Sequence, residues 1–227
     1  MQIAIDGPAG AGKTSVAREV AHRMNLKCLD TGAMYRAITY KALQEKIDVN
    51  DGERLGELVR KCNMEIEYYE EKGTSIILDG EDVTEKIRSS EVNKHVSLVA
   101  KIPELRKELV LLQKKVAEKS GGIVMEGRDI GTKVLPEADY KFFLLAGIKE
   151  RANRRWLERS LKENGVLFDE ILEEIAMRDR IDQEREDSPL KAAPEAYVID
   201  TTAYSLAEVI EIVFNCITGG QKTGCEM

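Results

Sequence analysis

The chain has 227 residues, 43% of them hydrophobic and 33% charged, a balance that suits one compact domain with a sizeable core and excludes disorder along the whole length. Its net charge of -7 and pI near 5.2 run opposite to the balance of a general nucleic-acid binder. Yet seven of the fifteen arginines fall between positions 151 and 185, and a local arginine cluster on an acidic protein points to a small anionic ligand such as a phosphate.

In chain order, Ile3-Ala4-Ile5 reads as a buried strand ending at Asp6 and Gly7. Val16, Ala17, Val20, Ala21 and Met24 follow helical spacing, which predicts a helix over 13–24. Cys28-Leu29 reads as a second short strand, and Met34, Ala37, Ile38 and Leu43 mark one side of a helix over 33–46. A weaker helix is predicted over 52–62. Residues 64–69 and 74–78 read as a hairpin around Glu71-Lys72-Gly73, and Asp79-Gly80 supplies a second turn, so a small antiparallel sheet is expected here. The stretch 83–119 is mostly helical and is broken by Pro103; Leu105, Leu109, Leu112 and Val116 form the stripe of its second helix. Strands follow at 123–125, 140–145 and 197–199, with helices over 149–164, 169–183 and 206–218 and a tail from Gly219 expected to fray. Strands alternating with helices imply a mainly parallel sheet covered on both faces.

The four cysteines form no CxxC pair and only two histidines are present, which argues against a zinc site or a disulfide framework and for free thiols. The N-terminus MQIAIDGPAG has no basic leader, and the longest apolar run, 142–148, is far short of the ~20 residues of a membrane helix. The expectation is a cytoplasmic protein without membrane or nucleic-acid partners, and a monomer, because no long exposed apolar stripe is evident.

Gly7-Pro8-Ala9-Gly10-Ala11-Gly12-Lys13-Thr14, followed by Ser15, matches G-x-x-x-x-G-K-[ST] in full, after a strand and at the opening of a helix, as the mechanism of a phosphate loop (P-loop) requires. Its glycines let backbone N–H groups curl around phosphate oxygens, the helix N-terminus adds partial positive charge, Lys13 reaches the β- and γ-phosphates, and the Thr14 hydroxyl ligates Mg²⁺. GTPases, ATPases and transporter subunits share this loop. The only Asn-Lys pair, Asn93-Lys94, continues His95-Val96, so the N-K-x-D guanine reader is absent. Gly219-Gly220-Gln221, a fragment of an ABC-type signature, is misplaced in the tail.

Two further motifs favour a second anionic substrate. Asp30-Thr31-Gly32-Ala33-Met34-Tyr35-Arg36 opens a helix facing the sheet's switch point, where Arg36 is either a bidentate phosphate grip or an ordinary exposed helical arginine. Glu126-Gly127-Arg128-Asp129-Ile130-Gly131-Thr132 follows the third core strand. There Glu126 is suited to orient Mg²⁺ or its waters, Arg128 to hold an acceptor phosphate, and Asp129 to accept from an exocyclic amine such as N4 of cytosine. The bland alternative is a turn with a surface ion pair.

With GPAGAGKT, DTGAMYR, LDGEDVTEKIR, EGRDIGT and RDRIDQER in this order, the chain resembles the bacterial cytidylate kinases of the larger type, over about residues 2–215. The resemblance implies a P-loop kinase fold, with a five-stranded parallel sheet flanked by helices, a small antiparallel sheet inserted in the monophosphate-binding region, and a short helical lid. It implies one domain: a core of 1–30, 102–148 and 165–218, a monophosphate-binding region over 31–101, a lid over 149–164, and a flexible tail over 219–227. The implied reaction moves the γ-phosphate of ATP, with Mg²⁺, onto CMP or dCMP. Thr31, Ser97, Arg106 and Asp129 would surround the cytosine, Arg36, Arg128 and Arg185 would bind the CMP phosphate, and Arg178 and Asp182 would engage the ribose. Lys13, Arg128 and Arg185 would carry the catalysis, with Arg151 and Arg154 of the lid on ATP. Arg178, Asp182 and Arg185 stand at i, i+4 and i+7, which predicts one face of one helix. The family pattern often has Asp where this chain has Glu126, and a water-mediated magnesium contact tolerates the longer side chain better than direct ligation does.

Overall fold

In a computed structural model, residues 1–69, 73–161 and 165–219 are described. The central sheet has five strands, β1 (Gln2–Asp6), β2 (Lys27–Asp30), β6 (Ile123–Gly127), β7 (Tyr140–Leu145) and β8 (Tyr197–Asp200), in the order β2-β6-β1-β7-β8. Every neighbouring pair is parallel. The second sheet is antiparallel and joins β3 (Met64–Tyr69), β4 (Gly73–Leu78) and the two-residue β5 (Glu81–Asp82). The helices are α1 (Lys13–Arg23), α2 (Thr31–Gln44), α3 (Gly52–Lys61), α4 (Ser90–Val99), α5 (Pro103–Lys119), α6 (Ile148–Ser160), α7 (Phe168–Glu184) and α8 (Leu206–Thr218).

Alternation along the strands sorts the core into two layers. Ala4, Leu29, Ile123 and Met125 face the side packed by α2, α3 and α5. Ile3, Ile5, Val124, Phe142, Leu144 and Ile199 face α1 and α8, and Phe142 stacks on Tyr197 with ring centroids 5.4 Å apart. A third, smaller cluster of Ala152, Ile171 and Ile175, with Trp156, Phe168 and Leu172, holds α6 to α7.

Local chemistry fixes the ends. Asp30, Asp51 and Ser89 cap α2, α3 and α4 through their side chains, Ser205 and Glu208 form a capping box on α8, and Pro103 sits at the start of α5, where its missing N–H costs nothing. Helix α1 differs: its cap is Gly12, in the left-handed region with φ 89°, and no side chain closes it. Its first N–H groups are therefore turned toward the sheet's carboxyl edge without a side-chain acceptor.

The small sheet forms as expected, although the turn residues Glu71 and Lys72 lie outside the described residues, as do the end of the 149–164 helix and the tail beyond Gly219. Two readings need correction. Helix α7 ends at Glu184, and Arg185 leaves it with φ -59° and ψ 133°, so Arg178, Asp182 and Arg185 do not share one helical face. The i+7 spacing ignores the break that turns the chain toward Ser188, whose carbonyl Arg185 binds. Cys28 and Cys62 are free thiols, whereas Cys216 is disulfide-bonded.

Gly7 is where the first strand hands over to the loop. Its φ is 147°, and a Cβ there would sit 2.2 Å from the Leu144 carbonyl oxygen of β7. Backbone strain and overpacking each cost about 1–3 kcal/mol, so Gly7→Ala is expected to lower stability by about 2–6 kcal/mol, read as a lower urea midpoint. An unchanged midpoint would mean that β1 and β7 are not locked together at this point.

Candidate active site

The parallel strands open their carboxyl ends onto one edge, the usual place for ligands in this architecture. A cleft of about 900 Å³ lies there, lined by residues of the loop, the sheet edge, the inserted region and the last helices.

On one side runs the loop between β1 and α1. Lys13 is buried and donates to the Pro8 carbonyl at 2.8 Å. Burial pushes its ammonium down to about 7; Arg128 and Arg178 push the same way, and Glu126 and Asp30 oppose them. The Thr14 hydroxyl donates to Glu126 Oε1. Burial and the neighbouring Asp30, its register partner across β2 and β6, raise the Glu126 carboxyl above its ordinary range, against Lys13 and the Thr14 bond. A hydroxyl beside a carboxylate is a hard-oxygen donor pair that suits magnesium. Among the described residues no three or more His, Cys, Asp and Glu side chains are placed to hold a metal ion together, so the remaining ligands of such an ion would be phosphate oxygens and water.

Helix α6 meets the loop through two arginines with different commitments. Arg151 is buried and spent on structure: it donates to Ala146 O at 2.8 Å and Ala9 O at 3.1 Å, and pairs with Asp179 at 2.7 Å. Arg154 donates to Glu150 at 2.8 Å and to Thr201 Oγ1 and O at 3.0 and 2.7 Å, and it forms part of the cleft wall.

On the other side the guanidinium groups converge. Arg128 pairs with Asp182 at 2.7 Å. Burial pushes Asp182 up, but Arg128, Arg178 and Arg185 together hold it below the usual carboxylate range. Arg178 is lowered to about 9, first by burial and then by Arg128 and Arg36, and its Nε is buried without a hydrogen-bond partner among the described residues. Arg36 stands 3.7 Å from Asp30 and is also lowered, mainly by burial. Deeper in, Arg106 is 1% exposed; it donates to Ala100 O at 3.0 Å and to Asp129, with Asp187 at 3.7 Å. Thr31 donates to Glu126 O at 2.8 Å, and a Cβ on Gly127 would fall 2.6 Å from that threonine oxygen. Only glycine lets the end of β6 and the start of α2 approach this closely beside the cleft.

Thr31, Arg36, Ser97, Arg106, Arg128, Asp129, Arg178, Asp182 and Arg185 all line the cleft, together with residues 9–15, Glu126 and Arg154. Gly7, Pro8 and Arg151, expected on ATP, are not on its wall. Sequence reasoning missed Asp6, whose carboxylate takes the Ile130 and Gly131 N–H groups at 2.8 Å each. Burial raises it to about 7 against those bonds, and it fixes the turn that carries Arg128 and Asp129. An acidic residue closing an apolar strand was the available signal. It also missed Asp30, Tyr35 and the wall formed by Thr201, Tyr204, Ser205 and Leu206, where no residue pattern announces a ligand.

Similarity to known proteins agrees with this geometry. The family model described as Cytidylate kinase matches residues 3–219. A cytidylate kinase of Bacillus cereus (strain ATCC 10987 / NRS 248) is 48% identical over 220 residues, covering 96% of each chain. One of Bacillus subtilis (strain 168) is 48% identical over 217 residues, again with 96% of each chain covered. In fold alone, the crystal structure of an uncharacterized protein from Eubacterium ventriosum ATCC 27560 superposes with a TM-score of 0.53 at 14% identity, covering 96% of this chain and 98% of that one.

The lowered Lys13 has a sign that is open to test. With its ammonium at about 7 in the free protein, a polyphosphate beside it raises that value, so binding takes up a proton between pH 7 and the raised value. Affinity for a nucleoside triphosphate is expected to increase as pH falls from about 9 to about 7 and then level off. Calorimetry at pH 8 in buffers of different ionisation enthalpy should report this uptake, and Lys13→Arg should remove it. Heats independent of buffer would contradict the assignment.

Proposed function

The chain belongs to the cytidylate kinase family, and from that membership we propose that it transfers the γ-phosphate of ATP to CMP or dCMP, releasing ADP and CDP or dCDP. The observation that carries this reading is the presence of two anion-binding sets in one cleft: the loop with Lys13, and the guanidinium groups of Arg36, Arg128, Arg178 and Arg185. A phosphate oxygen of the acceptor attacks the γ-phosphorus as the bond to the β-phosphate oxygen breaks. That oxygen is already a competent nucleophile, so no general base is needed, and neither His22 nor His95 lines the cleft.

Each side chain then has a task that its surroundings support. The backbone N–H groups of residues 9–15 and the Lys13 ammonium hold the triphosphate. Thr14 and Glu126 would hold magnesium, Glu126 through water, and the bound ion supplies neutralisation of the β- and γ-phosphate charge. Arg36, Arg128 and Arg185 grip the acceptor phosphate and, with Lys13, stabilise the charge that spreads in the transition state. Arg178 and Asp182 meet the ribose. Thr31, Ser97, Arg106 and Asp129 form the cytosine pocket, with Asp129 accepting from the exocyclic amine. Arg154 serves the donor nucleotide from α6, and Arg151 is its anchor to the loop. The core, monophosphate-binding region and lid expected from the sequence are retained in this reading, with lid closure excluding water that would otherwise hydrolyse ATP.

ADP release over a panel of acceptors tests the substrate directly: CMP and dCMP should stimulate it, and shikimate or AMP should not. A slow ATPase indifferent to every monophosphate would identify a nucleotide switch instead. Lys13→Ala should lower turnover by about 10²–10³-fold or more with a folded protein, and near-normal turnover would refute its role. Arg178→Ala and Asp182→Ala should weaken use of CMP while leaving ATP binding nearly intact; a selective loss of ATP affinity would put α7 at the donor subsite.

A further inference from the structure

Asp187 lies behind the base pocket, not in it. It is half-buried and absent from the cleft wall, yet its Oδ2 stands 3.7 Å from Nε of Arg106. We propose that Asp187 is a positioning residue that sets Arg106 for the acceptor's base, and that the preference for cytosine over uracil depends on its charge. The proposal rests on the reading of this cleft as the CMP site and adds to it a carboxylate that touches neither substrate.

Arg106 needs more than one counter-charge. It is 1% exposed. Its Nη1 donates to Ala100 O at 3.0 Å, its Nη2 donates to Asp129, and its guanidinium carbon lies 5.5 Å from the centre of the Tyr35 ring. Nε is buried without a hydrogen-bond partner among the described residues, and Asp187 is the carboxylate on that edge. Burial works against the charge of Arg106, but Tyr35, Asp129 and Asp187 outweigh it and hold the guanidinium above its ordinary value. Without Asp187, Asp129 would have two tasks, neutralising Arg106 and accepting from the base amine. With Asp187 in place, Asp129 keeps acceptor capacity for the base.

Asp187 is itself held. Its Oδ1 accepts from Ser188 Oγ at 3.0 Å and from Lys133 Nζ at 3.4 Å, which leaves Oδ2 to Arg106. Lys133 belongs to the turn that Asp129 opens, so Asp187 ties the two base-reading residues together from behind. Ser188 has φ 56°, a left-handed conformation that few non-glycine residues adopt and that persists where the surroundings fix it. Its carbonyl accepts from Arg185 at 2.9 Å. The arginine of the base and an arginine of the acceptor phosphate therefore meet at one two-residue turn.

Cytosine presents N3 and O2 as acceptors and an amine at C4, whereas uracil presents N3–H and a carbonyl. A guanidinium fixed toward the base, with Asp129 beside it, matches cytosine. Against uracil it sets N–H against N–H and carboxylate against carbonyl. A guanidinium free to swing loses that discrimination.

Steady-state kinetics with CMP and with UMP at saturating ATP test this. Asp187→Asn keeps the shape and the acceptor for Ser188 but removes the charge. It should raise KM for CMP about five- to thirtyfold, leave kcat within about threefold, and change KM for UMP little, so that selectivity falls by a similar factor. Asp187→Glu should recover part of the loss, and ATP affinity and thermal midpoint should stay at the wild-type values. Glu186→Gln removes the same charge from the neighbouring residue, which is exposed and off the cleft wall, and should behave as the wild type does. The proposal is overturned if Asp187→Asn keeps KM for CMP within about twofold of wild type, if CMP and UMP suffer equally, or if Glu186→Gln has the same effect. A wild-type protein that phosphorylates neither CMP nor dCMP would sink the reading of the cleft, and this proposal with it.

Discussion

Positive charge held without enough negative charge beside it is the constraint on which the cleft depends. Lys13, Arg36, Arg128, Arg178 and Arg185 crowd one edge of the sheet; Asp182 holds Arg128 at 2.7 Å and Arg185 at 3.8 Å, and Asp30 stands 3.7 Å from Arg36. The direction of the shifts shows the strain: Lys13, Arg36, Arg178 and Arg185 are all pushed toward losing their protons, burial being the largest cause in each. Burying cations costs free energy unless anions are supplied. The two substrates are those anions, so the strain of the ligand-free state becomes affinity when they arrive. Because charge spreads further over the transferring phosphoryl group during reaction, the same groups favour the transition state over the bound substrates.

Such a cluster survives only on a scaffold that does not yield. The loop is locked by Gly7 against β7, by Arg151 reaching the Ala9 carbonyl, and by the bond between Thr14 and Glu126. Asp6 ties the end of β1 to the turn after β6 through two backbone N–H groups. The inserted region packs into the same core as the sheet, with Ile76, Leu78, Val83 and Ile87 buried in one cluster with residues of α2. The small sheet meets β2 through Thr74 donating to the Cys28 carbonyl and through Lys27 over the Tyr68 ring at 5.2 Å. Helix α6 leans on α7 through a compact apolar cluster.

Much of this was legible because the decisive signals were local. The loop motif needs only its own glycines, lysine and threonine, and short, wholly apolar runs at 3–5 and 123–125 mark the buried strands that carry it. The start of α2 moved by two residues, from 33 to Thr31, where Asp30 caps it, and the stretch expected to be helical from 83 opens as a 3₁₀ turn over Lys86–Arg88, with α4 beginning only at Ser90 behind its cap Ser89. What stayed hidden was non-local. Nothing in the sequence separates Arg151, which serves the loop carbonyl and Asp179, from Arg154, which faces the cleft, since both are arginines on one helix. The break after Glu184 was equally opaque, because a run of charged residues sustains a helical reading until tertiary contacts, here Leu190 N to Asp182 O at 2.8 Å, turn the chain. The turn at Ile130–Val134 closes as a π-helical turn for the same kind of reason: Asp6, more than a hundred positions away in sequence, takes its first N–H groups.

Glu126 shows how a departure from a family pattern becomes intelligible once distances are known. A carboxylate at the end of β6 must reach across the sheet edge to the first turn of α1, and here its Oε1 meets the Thr14 hydroxyl directly. The longer side chain therefore places its oxygen at the threonine oxygen that the loop mechanism gives to magnesium. With the hydroxyl already donating to Glu126, ligation by Thr14 would leave that donation intact, since a hydroxyl keeps a lone pair free while its proton is engaged. Glu126 then acts by orienting a ligand of the ion or one of its waters, a role in which one additional methylene is absorbed by solvent positions, whereas in direct ligation it would displace the ion itself.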